Sequence, residues 1–584
     1  MSLQNFNPAT GDLLPGLVQP TNEVVGERRS REGYFQHNVG ATYVLTADWP
    51  EDQKRWDATS AGAFTQRTIN NVEYLIDGRA TFAAMLEAIE TATEPEHFII
   101  LLGWGLNLGF VMVDQPSSRT SLHGKTMNDV LRSRTEMRVK VRVLLWNNKL
   151  VPTEYDEHAI RNNLIQKTVI DRLNPSAPAP EETPRRALCI LDGNTRFAGA
   201  HHQKVLLVYG SEGLIGFVGG IDVAEDRVEA TKARMFIGSA VAEVGAPLHD
   251  VHARVQGQAA HDLLTLAANR WNASYPVRAY ATPEEVLNGT AGKALTWGED
   301  PALPRGAPQN ALPGWGWQIE NLEVLVGPAR TARHGVLTPH HHVRIGQTVG
   351  NPSIAQAGVQ GSISDAWPMI RHCIRQAKKF IYIEDQYFWS KMAADTLAAA
   401  LPNIERLIIL VTSDDADATS RSLRHECINQ LFDKIASPAD KKKVGIYNRK
   451  EAYERYIHAK MLIIDDEVAI IGSANMNNRG YTHDSEVIGV FTDPNWDDPS
   501  GPREGKWFAL ELNFARKLRM QLWAEHLRIS AECLFDPLAA AMHWECPSAN
   551  ANVMPCPYQA GDSGWGDAAK NATLDPLIWD PEGL

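Results

Sequence analysis

Residues 457–475 read IHAKMLIIDDEVAIIGSAN, and residues 201–222 read HHQKVLLVYGSEGLIGFVGGID. Each stretch carries a histidine, a lysine two positions on, a short aliphatic run, and a glycine turn that closes on Asn or Asp. Side chains at i and i+2 of an extended strand share a face, so His202 points with Lys204, and His458 with Lys460. His201 and Gln203 face the other way. The later stretch has Ile457 where His201 would lie, so His202 is the matched residue and His201 a neighbour packed on the opposite face.

The match extends outward in both directions. Residues 80–104 and 362–389 each run from a helix-period stripe into an apolar strand followed by aromatics. VRVLLWN (141–147) pairs with RLIILVTS (406–413), both short apolar runs suited to strands buried on two faces. DVHARV (250–255) pairs with SEVIGVF (485–491), and AAHDLLTLAANRW (259–271) with ARKLRMQLWAEHL (515–527). Matched elements in one order mean an internal duplication. The expected fold is α/β: two pseudo-symmetric αβα halves, each a mixed sheet flanked by helices, packed with one active site between them. The expected division is an N-terminal segment 1–75 with no assigned role, a first half 76–275, and a Pro/Gly-rich linker 276–316. A second half 317–545 and a C-terminal tail 546–584 that drapes over a domain complete it.

At 584 residues the chain needs more than one core, and 44% hydrophobic with 22% charged residues is ordinary for a globular protein. A formal net charge of −13 argues against gripping a polyanion or an anionic lipid surface by charge alone, while leaving room for a local basic pocket. The six cysteines show no CxxC pair and no metal spacing, which fits a reducing compartment. The start, MSLQNFNPATGDLLPG, lacks the basic and apolar regions of a signal peptide, giving a cytoplasmic expectation. The apolar stretch 98–113 is short and glycine-containing and reads as buried strand and loop.

His458-x-Lys460, four residues, Asp465, six residues, then Gly472-Ser473-x-Asn475 resembles the HxKxxxxD…GSxxN signature of the phospholipase D superfamily. The stretches HHQK, FVGGID, HDVHARVQGQAA, FIYIEDQYFW and HDSEVIGVF resemble its eukaryotic-type phospholipase D branch. The likeness runs over about residues 80–530 and implies phospholipase D-like halves. It departs from the family at Tyr209, which stands where Asp465 stands in the second copy. There are fifteen positions from Lys204 to Gly219 against twelve from Lys460 to Gly472. The Tyr is therefore read as a structural substitution beside a rebuilt, longer connection, with Asp465 as a turn-forming acid.

The resemblance implies a phosphodiesterase working through a phosphohistidine, with no metal and no other cofactor. His202 would be the nucleophile and His458 the acid and later base, with Lys204 and Lys460 neutralising the phosphate. Asn475 and Ser473 would add hydrogen bonds to the non-bridging oxygens, beside Gly219 and Gly220. Asp222, at the Asn475 position, would turn away from phosphate toward Lys or backbone. Each imidazole needs an orienting acid, and the expectation assigns Asp250 to His202 and Glu486 to His458. Trp104 and Tyr387 could line a substrate mouth or simply pack. PHHHV (339–343) reads as a solvated loop rather than a metal site. The sequons at Asn272, Asn288 and Asn571 are weak matches.

The implied reaction is hydrolysis of the distal phosphodiester of a glycerophospholipid at a membrane surface, giving phosphatidic acid and a headgroup alcohol. Phosphatidyl transfer, as in cardiolipin synthases, and nuclease action are the alternatives, the acidic balance weighing against nucleic acid. Both histidines lie on one chain, so a monomer suffices. Export by a signal-less route such as type VI secretion, with an unknown secretion or immunity partner, follows from resemblance alone.

Overall fold

A computed structural model describes residues 67–147, 154–173, 186–195, 199–227, 233–237, 240–244, 248–274, 311–312, 317–318, 341–350, 363–412, 418–450, 456–492 and 514–556. Residues 1–66, nearly all of the linker at 276–316 and the tail beyond 556 lie outside them. In the first half, β1 (Arg67–Ile76) leads into α1 (Asp77–Glu90), followed by β2 (Phe98–Gly103), β3 (Lys140–Trp146) and β4 (Ala187–Asp192). The hairpin β5 (Val205–Gly210) and β6 (Gly213–Gly219), then β7 (Val251–Gly257) and α2 (Gln258–Ser274), complete it. The second half repeats the order as β8 (His341–Val349), α3 (Ala366–Gln376), β9 (Phe380–Asp385), β10 (Arg406–Val411) and β11 (Val444–Arg449). Then come β12 (Lys460–Ile464), β13 (Val468–Gly472), β14 (Ser485–Thr492), α4 (Phe514–Leu527) and β15 (Val553–Pro555).

The strand order is β15-β11-β10-β9-β12-β13-β14-β8-β1-β7-β6-β5-β2-β3-β4, a palindrome about the β8–β1 junction except for the added β15. Within each half three strands are parallel and the rest antiparallel, so each is the mixed sheet expected. The two halves are not separate sheets, however. β1 joins them, pairing with β7 along its length and with β8 at Arg67↔Val343 and Asn70↔His341. The expected boundary at 75/76 therefore cuts a central strand, and β15 shows that the first part of the expected tail belongs to the second sheet. Of PHHHV, the described residues 341–343 are no solvated loop: His341 opens β8, with its ring edge-on to Phe514.

Strands buried on both faces send alternate residues to different cores, the reason their sequences read as continuous apolar runs. Phe98, Ile100 and Leu102 of β2 face a central core shared by both halves, which also holds Leu263 and Trp271 of α2 and Leu518, Leu522 and Trp523 of α4. Ile99 and Leu101 face the first half's outer core under α1. In β9, Phe380 and Tyr382 face the centre, while Ile381 and Ile383 face the second outer core under α3. Each large apolar side chain buried this way contributes roughly 1.5–3 kcal/mol. The central core holds the two copies together.

The Tyr209 question resolves by register. Tyr209 lies opposite Phe98, and Asp465 takes the same place beside Phe380. Asp465, at φ 57°, accepts hydrogen bonds from the amides of Lys378, Lys379 and Phe380 at 2.7, 2.7 and 2.9 Å. In the first half His97 Nδ1 takes over that kind of task, accepting from the Thr93 and Glu94 amides at 3.0 Å each. Tyr209 stacks on Phe98 and meets His97 edge-on. The sequence reading expected the additional residues of the first copy to lengthen the connection, and they do not. They lengthen the strands, and the turn itself is only Ser211 and Glu212 between the paired Gly210 and Gly213. Asp465→Ala is expected to cost about 1–3 kcal/mol by stranding three amides, read as a lowered melting temperature. Tyr209→Phe, which keeps the ring stack, should stay within about 0.5 kcal/mol.

Candidate active site

His202 and Lys204 lie just before β5, and His458 and Lys460 at the start of β12, so each pair enters the junction between the halves from its own hairpin. The junction is sewn by main-chain bonds. The His202 amide donates to Ser485 O at 2.9 Å, and the His458 amide to His249 O at 2.7 Å. Ser485 and His249 immediately precede the two candidate acids. Consequently His202 Nδ1 lies 3.0 and 3.2 Å from the Glu486 carboxylate oxygens and 3.1 Å from Ser473 O. His458 Nδ1 lies 2.7 Å from Asp250 Oδ2.

This reverses the expected pairing: Glu486 serves His202, and Asp250 serves His458. The reason is strand order. Within a half, the hairpin's outer strand (β6 or β13) separates the histidine strand from the acid strand, a gap of about 9–10 Å at normal strand spacing. Only the opposite half's acid comes within hydrogen-bond reach. With both Nδ1 atoms engaged, both Nε2 atoms are left for chemistry.

The glycine turns are shaped around those acids rather than around phosphate. A Cβ at Gly220 would fall 2.3 Å from Asp250 Oδ1, and one at Gly219 would fall 2.3 Å from His252 Nδ1. Ser473, at the Gly220 position, turns its hydroxyl to Glu486 Oε2 and accepts from the Val487 amide at 3.0 Å. Ser473 and Gly220 therefore position acids, and Gly219 leaves room for His252, contrary to the expectation that they touch phosphate.

Lys204 Nζ donates to His202 O at 2.9 Å and lies 3.2 Å from Asp222 Oδ2. Lys460 Nζ donates to Gln386 Oε1 at 3.0 Å and to His458 O. Asp222 faces Lys204 and accepts from the Trp104 and Gly105 amides at 3.0 and 3.3 Å. In the second half Asp385 accepts from the Tyr387, Phe388 and Met476 amides at 2.9, 2.7 and 2.8 Å. The capping acid thus stands on the glycine turn in one half and at the end of the neighbouring strand in the other. Trp104 and Tyr387 are bound there through their main chains, and their rings stack on Trp146 and Trp389. Asn475 is buried, and its Oδ1 has no hydrogen-bond partner, so the amide can turn its NH2 to a bound oxyanion.

Comparison with known proteins agrees with this geometry. Residues 89–282 match the family model described as "Phospholipase D", and residues 370–498 the one described as "Cardiolipin synthase, PLD-like domain". The two matches fall on the two halves, each spanning one histidine–lysine pair. The chain belongs to the phospholipase D superfamily. It is 24% identical to phospholipase D alpha 3 of Arabidopsis thaliana over 557 residues and to phospholipase D alpha 1 of Carica papaya over 558. Both alignments cover 77% of this chain and 64% of the relative, so the chain spans less than two thirds of these relatives' length. The phosphatidylserine synthase of Haemophilus influenzae Rd KW20 is similar at a TM-score of 0.42 and 13% identity, over 76% of this chain and 87% of that one.

In this phospholipase D-superfamily site the electrostatics are set by burial. Both catalytic-motif imidazoles are held well below the usual histidine range, first by loss of solvent and then by cations. Lys204 and Lys460 act on His202, and Lys460, Arg227 and Lys204 on His458. Burial pushes the Asp250 carboxyl up to about 7, and burial followed by the charge of Asp484 holds Glu486 well above the usual carboxylate range. Burial also brings Lys460 down to about 7 and lowers Lys204. The pocket's cations suit a phosphate better than a metal ion.

Sequence reading missed Arg227, in the 3-10 turn Glu225–Arg227, whose charge reaches both histidines and both lysines. A signal existed, since it is the first basic residue after FVGGID, as Arg479 is the first after GSAN, but the two stand one position out of register. Gln386, the partner of Lys460, was hidden among the aromatics of EDQYFW.

Because both ring pKa values lie below the ordinary 6.5, 15N NMR at pH 6.0 is expected to show His202 and His458 neutral. A doubly protonated ring at that pH would contradict the burial argument. In Gly220→Ala the His458 ring signals should shift as Asp250 is displaced, while those of His202 stay in place.

Proposed function

We propose that this chain is a phospholipase D that cleaves the distal phosphodiester of glycerophospholipids at a membrane surface, acting as a single chain. The observation that supports the reading best is the crossed pair of acid–histidine dyads, each flanked by a lysine on its own strand. Neutral His202 Nε2, with Glu486 behind it, attacks phosphorus and forms a P–N bond as the bond to the headgroup oxygen breaks. The departing oxygen takes its proton from His458 Nε2. Near neutrality the Asp250–His458 dyad can hold one shared proton, since burial raises the Asp250 carboxyl to about 7. Water then gives its proton back to His458 and attacks phosphorus, releasing phosphatidic acid and free His202. Lys204, Lys460 and Arg227 supply the positive field that stabilises charge on the phosphoryl oxygens, and Asn475 adds a hydrogen bond.

His202 is the more accessible imidazole, 17% exposed against 8% for His458, which supports its assignment as nucleophile. The match of residues 370–498 to a cardiolipin synthase-like domain supports a second reading, in which an alcohol replaces water at the deacylation-like step. The same intermediate serves both. A net charge of −13 weighs against a nuclease.

Phosphatidylcholine and phosphatidylethanolamine vesicles test the reading, with single-stranded DNA alongside. Headgroup release and phosphatidic acid are expected from the wild type, reduced by about a thousandfold or more in His202→Ala. Butanol should yield phosphatidylbutanol, and the denaturant-quenched wild type should retain radiolabelled phosphatidyl that His202→Ala does not. DNA cleavage without lipid turnover would replace the lipase reading with the nuclease one.

A further inference from the structure

Beneath the second dyad lies a buried cluster that the mechanism above does not use. His249, the residue before Asp250, is fully enclosed. Its Nε2 is 2.9 Å from Glu384 Oε2, and its Nδ1 is 3.0 Å from Asp77 Oδ1 and 3.6 Å from Glu525 Oε1. Every oxygen facing the ring belongs to a carboxylate. Glu384 also receives Tyr382 Oη at 2.6 Å and His526 Nε2 at 2.9 Å, so it is acceptor only. Nε2 is hydrogen-bonded to Glu384 and Nδ1 lies at ion-pair distance from Asp77 without hydrogen-bond alignment, so a lone pair on either nitrogen would face negative charge. The ring therefore carries both protons.

The cluster spans the junction. Asp77 begins α1, Glu384 lies on β9, and Glu525 and His526 lie on α4, with Arg449 of β11 3.2 Å from Glu525. Asp77 also holds the next residue: its Oδ1 accepts from the Asp250 amide at 3.0 Å, and its amide donates to Asp250 O at 2.8 Å. Asp77 sits at φ 64°, a strained conformation for a non-glycine residue that persists where surrounding contacts over-determine it. The first dyad lacks this support. Ser485 takes the His249 position and meets His201 Nδ1 at 2.9 Å, and the charge beside Glu486 is the anion Asp484.

We propose that His249 is an imidazolium and, with Asp77, a positioning residue that holds the Asp250 carboxyl aligned on His458 Nδ1, so that the proton shared by that dyad reaches the leaving group through His458 Nε2. The inference rests on the phosphodiesterase reading of the site. It makes the two dyads, alike in their first contacts, unlike one layer out: His249 and Asp77 stand behind Asp250, whereas Asp484, itself paired with Arg479 at 3.0 Å, stands behind Glu486. The donor set His249, His526 and Glu384 could also suggest a metal centre. Against that, each imidazole meets a different Glu384 oxygen at hydrogen-bond distance, and Tyr382 takes up one of those oxygens as well.

Leaving-group dependence separates positioning from mere stability. Phosphatidylcholine releases choline as an alkoxide that needs a proton, whereas bis(p-nitrophenyl) phosphate releases a stable phenolate whichever ester bond is cleaved. His249→Gln is expected to lower kcat on phosphatidylcholine about 100-fold, with KM within about threefold, and to lower turnover of the aryl ester by under about tenfold. Equal losses on both substrates would overturn the proposal. Melting curves accompany the assay, and Asp77→Asn carries the same comparison if His249→Gln does not fold. On the wild type alone, 15N NMR at pH 8 should show His249 doubly protonated. A singly protonated ring, or stoichiometric zinc in the purified protein, would overturn it. A wild type active on the aryl ester but silent on phosphatidylcholine sinks the lipid reading, and the alkyl arm then moves to single-stranded DNA. Silence on all three sinks both.

Discussion

Two main-chain hydrogen bonds, His202 N to Ser485 O and His458 N to His249 O, fix the geometry on which everything at the site depends. Each ties a motif histidine to the residue before the acid that faces it, and each crosses from one half to the other. Backbone bonds are insensitive to side-chain identity, so the crossing survives although the two copies differ at almost every neighbouring position. Ser485 and His249 have nothing in common as side chains. The glycine turns follow from the same constraint. Gly220 leaves room for Asp250, while Ser473 fills the equivalent space and uses its hydroxyl to hold the longer Glu486.

Burying this many ionisable groups is costly unless each is paired, and the two halves solve the problem with different residues. On one side Arg270 pairs with Asp192 at 2.8 Å, and His201 shares that carboxylate at 3.0 Å. On the other the signs are exchanged: Arg449 of the matched strand pairs with Glu525 of the matched helix at 3.2 Å. Asp466 of the second hairpin is satisfied by Arg519 at 2.6 Å and Arg516 at 3.2 Å. Such pairs hold charge inside the protein without presenting it to the pocket, where two weakened carboxyls stand beside the imidazoles and Asp222 and Asp385 stand behind the lysines.

Much of this was legible in the sequence because duplication supplies its own control. A lone histidine carries almost no information; two in matched settings, each followed by lysine and a glycine turn, are informative, and the sheet order shows the duplication strand by strand. What the sequence could not show was contact between copies. The acid assignment came out reversed because linear order places Asp250 in the first copy, whereas strand order places β6 between it and His202. β1 went unread because Asn70 and Asn71 interrupt its alternation, although Asn70 is buried, its side chain bonded to His341 O at 3.0 Å and to the Ala259 amide at 2.8 Å. Tyr209 was legible as a structural change, but its helper His97 was not, since a ring nitrogen accepting two amides leaves no pattern in the sequence.

The crossed dyads also bear on how such a chain can change over generations. A substitution at Glu486 is felt by the histidine of the other copy, and one at Asp250 by the histidine of its own successor. Neither copy holds a complete pair, so neither can specialise, decay or be exchanged for a relative's half without disabling both. Divergence is free only behind the junction, as in the sign-exchanged struts of Arg270 and Arg449. Duplication here has produced not a spare but two dependants, each inheriting the other's constraints.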